Sequence, residues 1–359
     1  MRVTMVSLEK ALQGIGRLDE KAMRAARERQ DRLTKPQGSL GRLEELSIKV
    51  AGIRGEVTPR LRHKAIVVMA ADHGIVAEGV SLFPQGVTAQ MVQNFLHDGA
   101  GINVLARHVG ARVIVVDMGV AAELKPHPKL ISRKVAWGTH NMMQGPAMSR
   151  EDALAAIEAG LGVVEQEFEM GLDIIGTGDM GIGNTTSSSA ITAAITDEPV
   201  VRVTGRGTGL GNEQLNHKVR VIEEALKVNQ PAANDGLDVL TKVGGFEIGG
   251  LVGVMLGAAA HRIPIVIDGF ISGAAALIAT RMVPNLGDFL IAAHVSVERG
   301  HRIALKHLGL KPLLDLQMRL GEGTGAALAI SIIEASVKTL AEMATFAEAD
   351  VSEAKERAE

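Results

Sequence analysis

Three glycine-rich runs and one carboxylate are the residues of this chain with the clearest capacity for chemistry. The runs occupy residues 176–186, 205–209 and 321–325, and the third contains Glu322 between two glycines. In a glycine-rich turn that leads into a helix, backbone N–H groups converge at the positive end of the helix dipole. The runs therefore predict phosphate binding, with one carboxylate close to the phosphate.

Glu322 is a candidate general base. Because both of its sequence neighbours are glycines, its environment must come from elsewhere in the fold. Burial beside apolar residues would raise the pKa of its carboxyl group and suit proton abstraction. An exposed carboxylate that stabilises a helix N-terminus fits the same spacing. Both interpretations are open at this stage.

A dinucleotide site is an alternative for the first run. Gly176, Gly178 and Gly181 satisfy G-x-G-x-x-G, which would suit an NAD-dependent oxidoreductase. Such a site needs an acid after the next strand, yet Asp197 precedes the next predicted strand and Arg206 follows it. Two further alternatives are a nucleotide-binding sensor without catalysis and glycines that serve only close helix packing.

The histidines give weaker signals. His294, Glu298 and His301 have a spacing that could ligate a metal on a helix, but a further clear ligand and the H-E-x-x-H pattern are missing. His73, beside Asp72, could be a base or a hydrogen-bonded structural histidine. The sequence predicts no metal site and no cofactor.

Apolar runs alternate with helical patterns and predict the scaffold that positions these residues. The run 65–71 is wholly apolar, as in a central parallel strand that is buried on both faces. Further strands are predicted at 113–116, 172–175, 200–204, 263–267 and 289–293, with a loop at 121–148 and long helices at 237–260 and 325–347. The alternation predicts an α/β fold with a doubly wound, mainly parallel Rossmann-like sheet.

We expect two units. Residues 60–320 would form the large α/β domain, and residues 1–59 with 321–359 would form a small, mainly helical lobe from the chain ends.

Composition excludes several classes of function. A net charge of −3 gives no reason to expect binding to nucleic acid or an anionic membrane, and one Trp with no Tyr leaves few stacking platforms for bases. The absence of cysteine rules out disulfides and thiolate metal sites and fits a cytoplasmic location. The longest apolar run, 248–260, is too short to span a bilayer, and the first residues do not resemble a signal peptide.

Several motifs together resemble the nicotinate-nucleotide:dimethylbenzimidazole phosphoribosyltransferase family. They are KPQGSLGRLE at 35–44, ADHG at 71–74, EGVS at 78–81, FP at 83–84, GIGNTT at 181–186, GGFE at 244–247, IDGF at 267–270 and GEGTG at 321–325. The resemblance implies transfer of phosphoribose from nicotinate mononucleotide to 5,6-dimethylbenzimidazole, which yields α-ribazole 5′-phosphate and nicotinate for the lower ligand of cobalamin. It also implies a homodimer.

The resemblance assigns roles by motif position. Glu322 would take the azole proton, and direct displacement would invert the anomeric carbon from β to α. Asp179 would be an auxiliary residue, one methylene shorter than the usual Glu of the family. The nucleotide and its phosphate would contact Gly178, Met180, Gly181, Ile182, Gly183, Asn184, Thr185, Gly205, Arg206, Gly207 and Ser296. The benzimidazole would contact Ser81, Phe83, Gln90, Met91 and Leu320, with Phe83 as the stacking residue.

Overall fold

Six parallel strands form a single sheet in the computed structural model, which describes residues 8–207 and 209–352. The strands are β1 (Lys64–Ala71), β2 (Ala111–Gly119), β3 (Leu130–Ser132), β4 (Ile174–Met180), β5 (Ile265–Ile267) and β6 (Leu290–Ala292). Their spatial order is β3-β2-β1-β4-β5-β6. Residue 208 of the second glycine run and both extremities of the predicted small lobe lie outside the described residues.

The helices cover both faces and both ends of this sheet. They are α1 (Leu8–Gly14), α2 (Glu20–Arg32), α3 (Arg42–Arg54), α4 (Val87–Leu96), α5 (Gly101–His108), α6 (Arg150–Glu169), α7 (Asn184–Thr196), α8 (Val200–Val203), α9 (Asn212–Asn229), α10 (Gly236–Val243), α11 (Phe246–Ala260), α12 (Phe270–Met282), α13 (Arg299–His307), α14 (Thr324–Glu342) and α15 (Phe346–Ala349). Short 3₁₀ helices follow β1 (Gly74–Glu78) and precede β6 (Pro284–Phe289).

The chain winds outwards from the centre of the sheet in both directions. It passes from β1 to β2 and β3 on one side, then returns to β4, β5 and β6 on the other. The strand order therefore reverses between β1 and β4, which pair in parallel with Met69 beside Asp179. Ligands of doubly wound sheets bind at such a switch point, outside the carboxyl ends of the strands. The predicted fold class is confirmed.

Strand β1 is buried on both faces because its side chains alternate between two apolar cores. Val67 and Met69 belong to the core beneath α6 and α11, whereas Ile66 and Val68 belong to the core beneath α5 and α14. Within the described residues, α14 is the one helix long and apolar enough to cross a membrane, although it packs against α3, α5 and β4 as a core helix does.

The first glycine run begins inside a strand, which corrects the prediction that the strand ends at residue 175. Strand β4 continues through Gly176 and Gly178 to Met180. The missing side chains allow α14 to approach closely, since a Cβ atom on Gly178 would lie 2.6 Å from the carbonyl carbon of Glu322. The strand-turn-helix placement of a dinucleotide fingerprint is therefore not formed by these two glycines.

The strand predicted at 200–204 is wrong, because this segment forms the short helix α8. Pro199 precedes it, and the Thr204 hydroxyl donates to the Val200 carbonyl at 2.7 Å. Val200 and Val203 are buried while Val201 is exposed, which is a helical spacing. Tertiary packing here outweighs the β propensity of valine.

Three other expectations also need correction. The predicted loop at 121–148 contains the edge strand β3, which pairs with β2. The predicted helix at 237–260 is two helices, separated at Gly244 and Gly245, whose backbones are extended. The last predicted helix is interrupted after Glu342, and Thr345 caps a new helix, α15, by accepting from Glu348 N.

Helices from the two ends of the chain pack together. Ala26 of α2, Ile48 and Ala51 of α3, and Leu340 of α14 form a separate small apolar cluster. The Arg29 guanidinium reinforces this contact by donating to the Leu340 carbonyl at 2.7 Å. The boundaries of the two-unit division stay a prediction.

Candidate active site

A cavity of about 630 Å³ lies at the carboxyl end of the sheet. Its walls come from the ends of β4, β5 and β6, from the N-termini of α7 and α12, and from the third glycine run. The lining residues are Phe83, Val87, Met91, Asp179, Met180, Gly181, Ile182, Asn184, Thr185, Gly207, Gly269, Phe270, Ile271, His294, Ser296, Glu298, Arg319, Leu320, Gly321 and Glu322.

Most of the residues predicted from the sequence meet at this cavity. Of the predicted nucleotide residues, Met180, Gly181, Ile182, Asn184, Thr185, Gly207 and Ser296 line it, together with Asp179 and Glu322. Of the predicted base residues, Phe83, Met91 and Leu320 line it. The structure does not bring Gly178, Gly183, Gly205, Arg206, Ser81 or Gln90 to its lining.

The residues outside the lining have identifiable positions. Gly183 is the N-cap of α7, where its φ of 98° needs a glycine. The Arg206 guanidinium turns back along its own loop to the Leu210 carbonyl at 2.7 Å. Ser81 accepts a hydrogen bond from the backbone of Phe83, and Gln90 is exposed on α4.

The N-terminus of α7 at the cavity and a buried lysine behind it form a candidate anion site. Asn184 and Thr185 begin α7, so the positive end of the helix dipole faces the cavity. Lys218 donates to the Thr185 hydroxyl at 2.7 Å, and burial lowers the pKa of its ammonium group to about 8, against the opposing effect of Glu298. A buried ammonium group next to a helix N-terminus suits a phosphate.

Lys218 was missed by the sequence reasoning, although a signal was present. It lies on the same buried stripe of α9 as Ile222, Ala225 and Asn229. These positions are four, seven and eleven residues apart from it, which is the spacing of one helix face. A lysine on a buried, mostly apolar stripe indicates a buried ammonium group with a function.

Glu322 is buried, 4% exposed, in a strained turn. Gly321, Glu322 and Gly323 have φ angles of 84°, 64° and 88°, so three successive residues are left-handed. Glutamate rarely adopts this conformation, which costs about 1–2 kcal/mol relative to the right-handed one. Burial raises the pKa of the Glu322 carboxyl group, partly opposed by the Ile102 N–H that donates to it at 3.1 Å, and the Asp268 charge raises it further.

The Asp268 carboxylate stabilises this turn through hydrogen bonds to its backbone. Its two carboxylate oxygens accept from Gly323 N at 3.2 Å and from Ala326 N at 2.9 Å, and His294 Nε2 lies 3.7 Å from one of them. Asp268 is completely buried, and burial raises the pKa of its carboxyl group although His294 opposes this effect. The residue that follows β5 therefore fixes the turn that carries Glu322.

Asp179 is a second buried acid that faces the cavity. One of its oxygens accepts from the Asn184 amide at 2.9 Å, and the other has no hydrogen-bond partner among the described residues. Burial raises the pKa of Asp179 well above its ordinary value, and the charges of Asp268 and Glu247 raise it further. These effects favour the protonated, neutral form of Asp179.

His73 belongs to a neighbouring network and is a hydrogen-bonded structural histidine. Its ring nitrogens contact Glu247 Oε1 at 2.6 Å and the Ser187 hydroxyl at 3.1 Å. Burial disfavours the charged ring, but the Glu247 carboxylate outweighs burial and raises the pKa of His73. His73 does not line the cavity.

Apolar side chains form a further part of the cavity lining, which we call the apolar wall. Phe83, Val87 and Met91 come from the segment around α4, and Leu320 precedes the strained turn. Phe83 is half exposed at the cavity mouth. A flat apolar ring could therefore enter the cavity along this wall.

Anion-binding groups, apolar side chains and buried acids therefore meet in one cavity at the switch point of a doubly wound sheet, an arrangement typical of α/β enzymes that bind a phosphorylated ligand. Comparison with known proteins narrows this class. A family model described as Phosphoribosyltransferase matches residues 15–351.

Individual relatives agree with the family model. A nicotinate-nucleotide–dimethylbenzimidazole phosphoribosyltransferase of Chloroflexus aggregans is 61% identical over 98% of this chain and 100% of its own length. A relative of the same name from Roseiflexus is 61% identical over 97% of this chain. The crystal structure of CobT from Thermus thermophilus has a TM-score of 0.90 and 47% identity over 93% of this chain and 100% of its own.

The chain belongs to the nicotinate-nucleotide:dimethylbenzimidazole phosphoribosyltransferase family, as its motifs predicted. It is a phosphoribosyltransferase, and this identification excludes the alternatives of an NAD-dependent oxidoreductase and of a sensor without catalysis.

Proposed function

We propose that the protein transfers phosphoribose from nicotinate mononucleotide to 5,6-dimethylbenzimidazole, with Glu322 as general base and inversion at the anomeric carbon. The observation that carries the proposal is a buried carboxylate, Glu322, which lines the same cavity as apolar side chains and the N-terminus of α7. The names of the relatives support these substrates.

The nucleotide phosphate binds at the N-terminus of α7. Lys218 and the α7 dipole attract its charge, and Thr185, which Lys218 contacts, offers a hydroxyl group. Gly207 lies against the same pair, since a Cβ atom there would come within 3.1 Å of the Thr185 hydroxyl and 3.4 Å of Lys218 Nζ. The backbone of the second glycine run can therefore approach the phosphate. Gly181 and Ile182 form the turn that leads into α7, and Ser296 also lines the cavity.

The benzimidazole binds against Phe83, Met91 and Leu320, where burial of a flat apolar ring is favourable. This placement brings its N–H group to Glu322. The carboxylate takes the proton, and the electron pair of the other ring nitrogen attacks the anomeric carbon as the bond to nicotinate breaks. Nicotinate enters as a pyridinium cation and departs as a neutral ring, so its leaving needs no proton. A single displacement inverts the configuration from β to α.

Asp179 is proposed as an auxiliary residue. Its raised pKa favours a neutral carboxyl group, which can donate a hydrogen bond where a carboxylate would repel the phosphate and nicotinate charges. A protonated acid can also lie near ionised Glu322 at a lower electrostatic cost than a second carboxylate.

The test is to mix the purified protein with nicotinate mononucleotide and dimethylbenzimidazole and to follow both products by chromatography with mass detection. We expect α-ribazole 5′-phosphate and nicotinate in equal amounts. Binding of nicotinate mononucleotide without either product would contradict the proposed reaction. The proposal also includes a cytoplasmic homodimer, and light scattering on the purified protein measures its oligomeric state.

A further inference from the structure

Glu298 is a buried carboxylate in the cavity that the proposed reaction leaves without a role. It lies between β6 and α13 and is 6% exposed. Its Oε1 atom accepts from Gly207 N at 2.9 Å. Its Oε2 atom is buried, lies against the backbone of Gly205 and has no hydrogen-bond partner among the described residues. Since an unpaired buried acceptor is costly, a buried free oxygen at a cavity wall indicates a ligand that donates a hydrogen bond.

The donors of the two substrates are few, and this step rests on the proposed function. Dimethylbenzimidazole has one N–H group, which is directed to Glu322. In nicotinate mononucleotide the pyridinium nitrogen carries no hydrogen, and the nicotinate carboxylate is an acceptor only. The phosphate is mainly dianionic above its second pKa of about 6. The two ribose hydroxyls are therefore the donors that remain.

The position of Glu298 relative to the anion site fits a ribose. Gly207 contacts Glu298 through its N–H group and lies against Thr185 and Lys218, so one residue connects the two sites. Lys218 is close enough for the Glu298 charge to raise its pKa. The ribose of a 5′-nucleotide is one methylene group from its phosphate, and a phosphate on Lys218 brings the sugar beside Glu298.

We propose that Glu298 accepts a hydrogen bond from a ribose hydroxyl through Oε2 and thereby selects a ribonucleotide over its deoxy analogues. The acidic charge also keeps phosphate away from this position. Asp179 has a free buried oxygen as well, but its raised pKa favours the neutral acid, so Glu298 is the stronger acceptor.

The experiment measures the Kd of nicotinate mononucleotide and of its 2′-deoxy and 3′-deoxy analogues by calorimetry, without acceptor base. Binding is measured because removal of a ribose hydroxyl alters the reactivity of the glycosidic bond itself. The proteins are the wild type, Glu298→Ala, Glu298→Gln and the control Glu223→Gln. Glu223 is an exposed carboxylate on α9, the helix that carries Lys218.

We expect the wild type and the control to bind the parent nucleotide at least about tenfold more tightly than one deoxy analogue, because a hydrogen bond to a charged group contributes that much. In Glu298→Ala this ratio falls to about one. In Glu298→Gln it falls at least about threefold, because a neutral acceptor forms a weaker bond. If Glu298→Ala does not fold, the affinity ratio measured in Glu298→Gln tests the proposal.

An unchanged ratio in the variants would overturn the inference and leave Glu298 only as the partner of Gly207. The product assay separates this failure from failure of the proposed function. Wild-type turnover with an unchanged ratio refutes the role of Glu298 alone. Absence of turnover refutes the proposed reaction, whereas a ratio that depends on Glu298 still supports its contact with the ribose.

Discussion

Replacement of Glu322 by glutamine removes the proposed base while retaining the shape of the site. The amide oxygen of glutamine can still accept the Ile102 N–H, which donates to Glu322 at 3.1 Å. The strained backbone is unchanged, because glutamine carries the same Cβ atom. We expect turnover to fall by about 10²–10⁴, the usual effect of losing a general base, or about 3–5 kcal/mol of barrier.

The thermal stability of Glu322→Gln should not fall together with its activity. The Asp268 charge raises the pKa of Glu322, and the Glu322 charge contributes to the raised pKa of Asp179, so the carboxylates repel one another. Removal of one charge relieves this repulsion. We therefore expect an unchanged or higher Tm together with the lost activity, which excludes unfolding as the cause.

The pH dependence supplies a further signature of the same group. A general base acts in its ionised form, so wild-type kcat falls as the pH drops through the pKa of Glu322. Burial raises that pKa above the ordinary glutamate value, and this acidic limb is therefore displaced to higher pH. Glu322→Gln should lack the limb.

The assay is kcat from product formation over a range of pH, with the Kd of nicotinate mononucleotide measured in parallel. Glu223→Gln is the matched control, and Kd should change little in either variant. Near-normal turnover in Glu322→Gln, or an acidic limb that survives in it, would refute the assignment of Glu322 as the base.

Three other substitutions probe the supports of the site. Asp268→Asn should lower kcat about tenfold with little change in the KM for nicotinate mononucleotide. It should also move the acidic limb of the kcat profile to lower pH, because the Asp268 charge raises the pKa of Glu322. A change in KM alone would contradict this positioning role. Lys218→Met should weaken nicotinate mononucleotide binding about 10- to 100-fold in calorimetry, because a charged contact to phosphate is lost; an unchanged Kd would remove Lys218 from the anion site. Gly323→Ala should lower the unfolding free energy by about 1–3 kcal/mol in denaturant titrations, because φ is 88° and the new Cβ atom would lie 3.2 Å from the Thr177 carbonyl oxygen. Gly287→Ala, which meets nothing within 4 Å, is its control, and equal effects of the two substitutions would contradict the strain argument.

The sheet could be predicted where a strand is long and apolar. Strand β1 is buried by two cores, so residues 65–71 are all apolar, and the length of this run predicts a central strand. The short helix α8 could not be predicted in this way, because its valines favour strands and its burial depends on neighbours distant in sequence. The boundary of β4 was missed since glycines usually end strands, whereas Gly176 and Gly178 admit the close approach of α14.

The candidate site was predictable where its residues are adjacent in sequence. Asn184 and Thr185 follow a glycine turn, and Glu322 stands between two glycines, so local spacing identifies them. Lys218 and Glu298 come from a helix and a loop that only the folded chain brings to Gly207. The spacing of Lys218 and Glu298 along the sequence does not predict that they contact Gly207. The mostly apolar stripe of α9 predicts only that Lys218 is buried.

Four of the six strands of this sheet have an acid at or near their carboxyl end, and that arrangement costs stability. Asp72 follows β1, Asp117 lies near the end of β2, Asp179 near the end of β4, and Asp268 follows β5. All four are buried. Burial of several carboxyl groups near one another is unfavourable unless each is protonated, paired or hydrogen-bonded.

The protein meets that cost differently at the acids around the cavity, and these differences fit the roles proposed for Asp268, Asp179 and Glu322. The Asp268 carboxylate accepts hydrogen bonds from two backbone N–H groups, and its charge raises the pKa of Glu322. The raised pKa of Asp179, by contrast, favours its neutral form. Glu322 receives a single N–H group and is held in a strained turn. The acid in the strained turn is the one that must accept a proton in the proposed reaction and later release it.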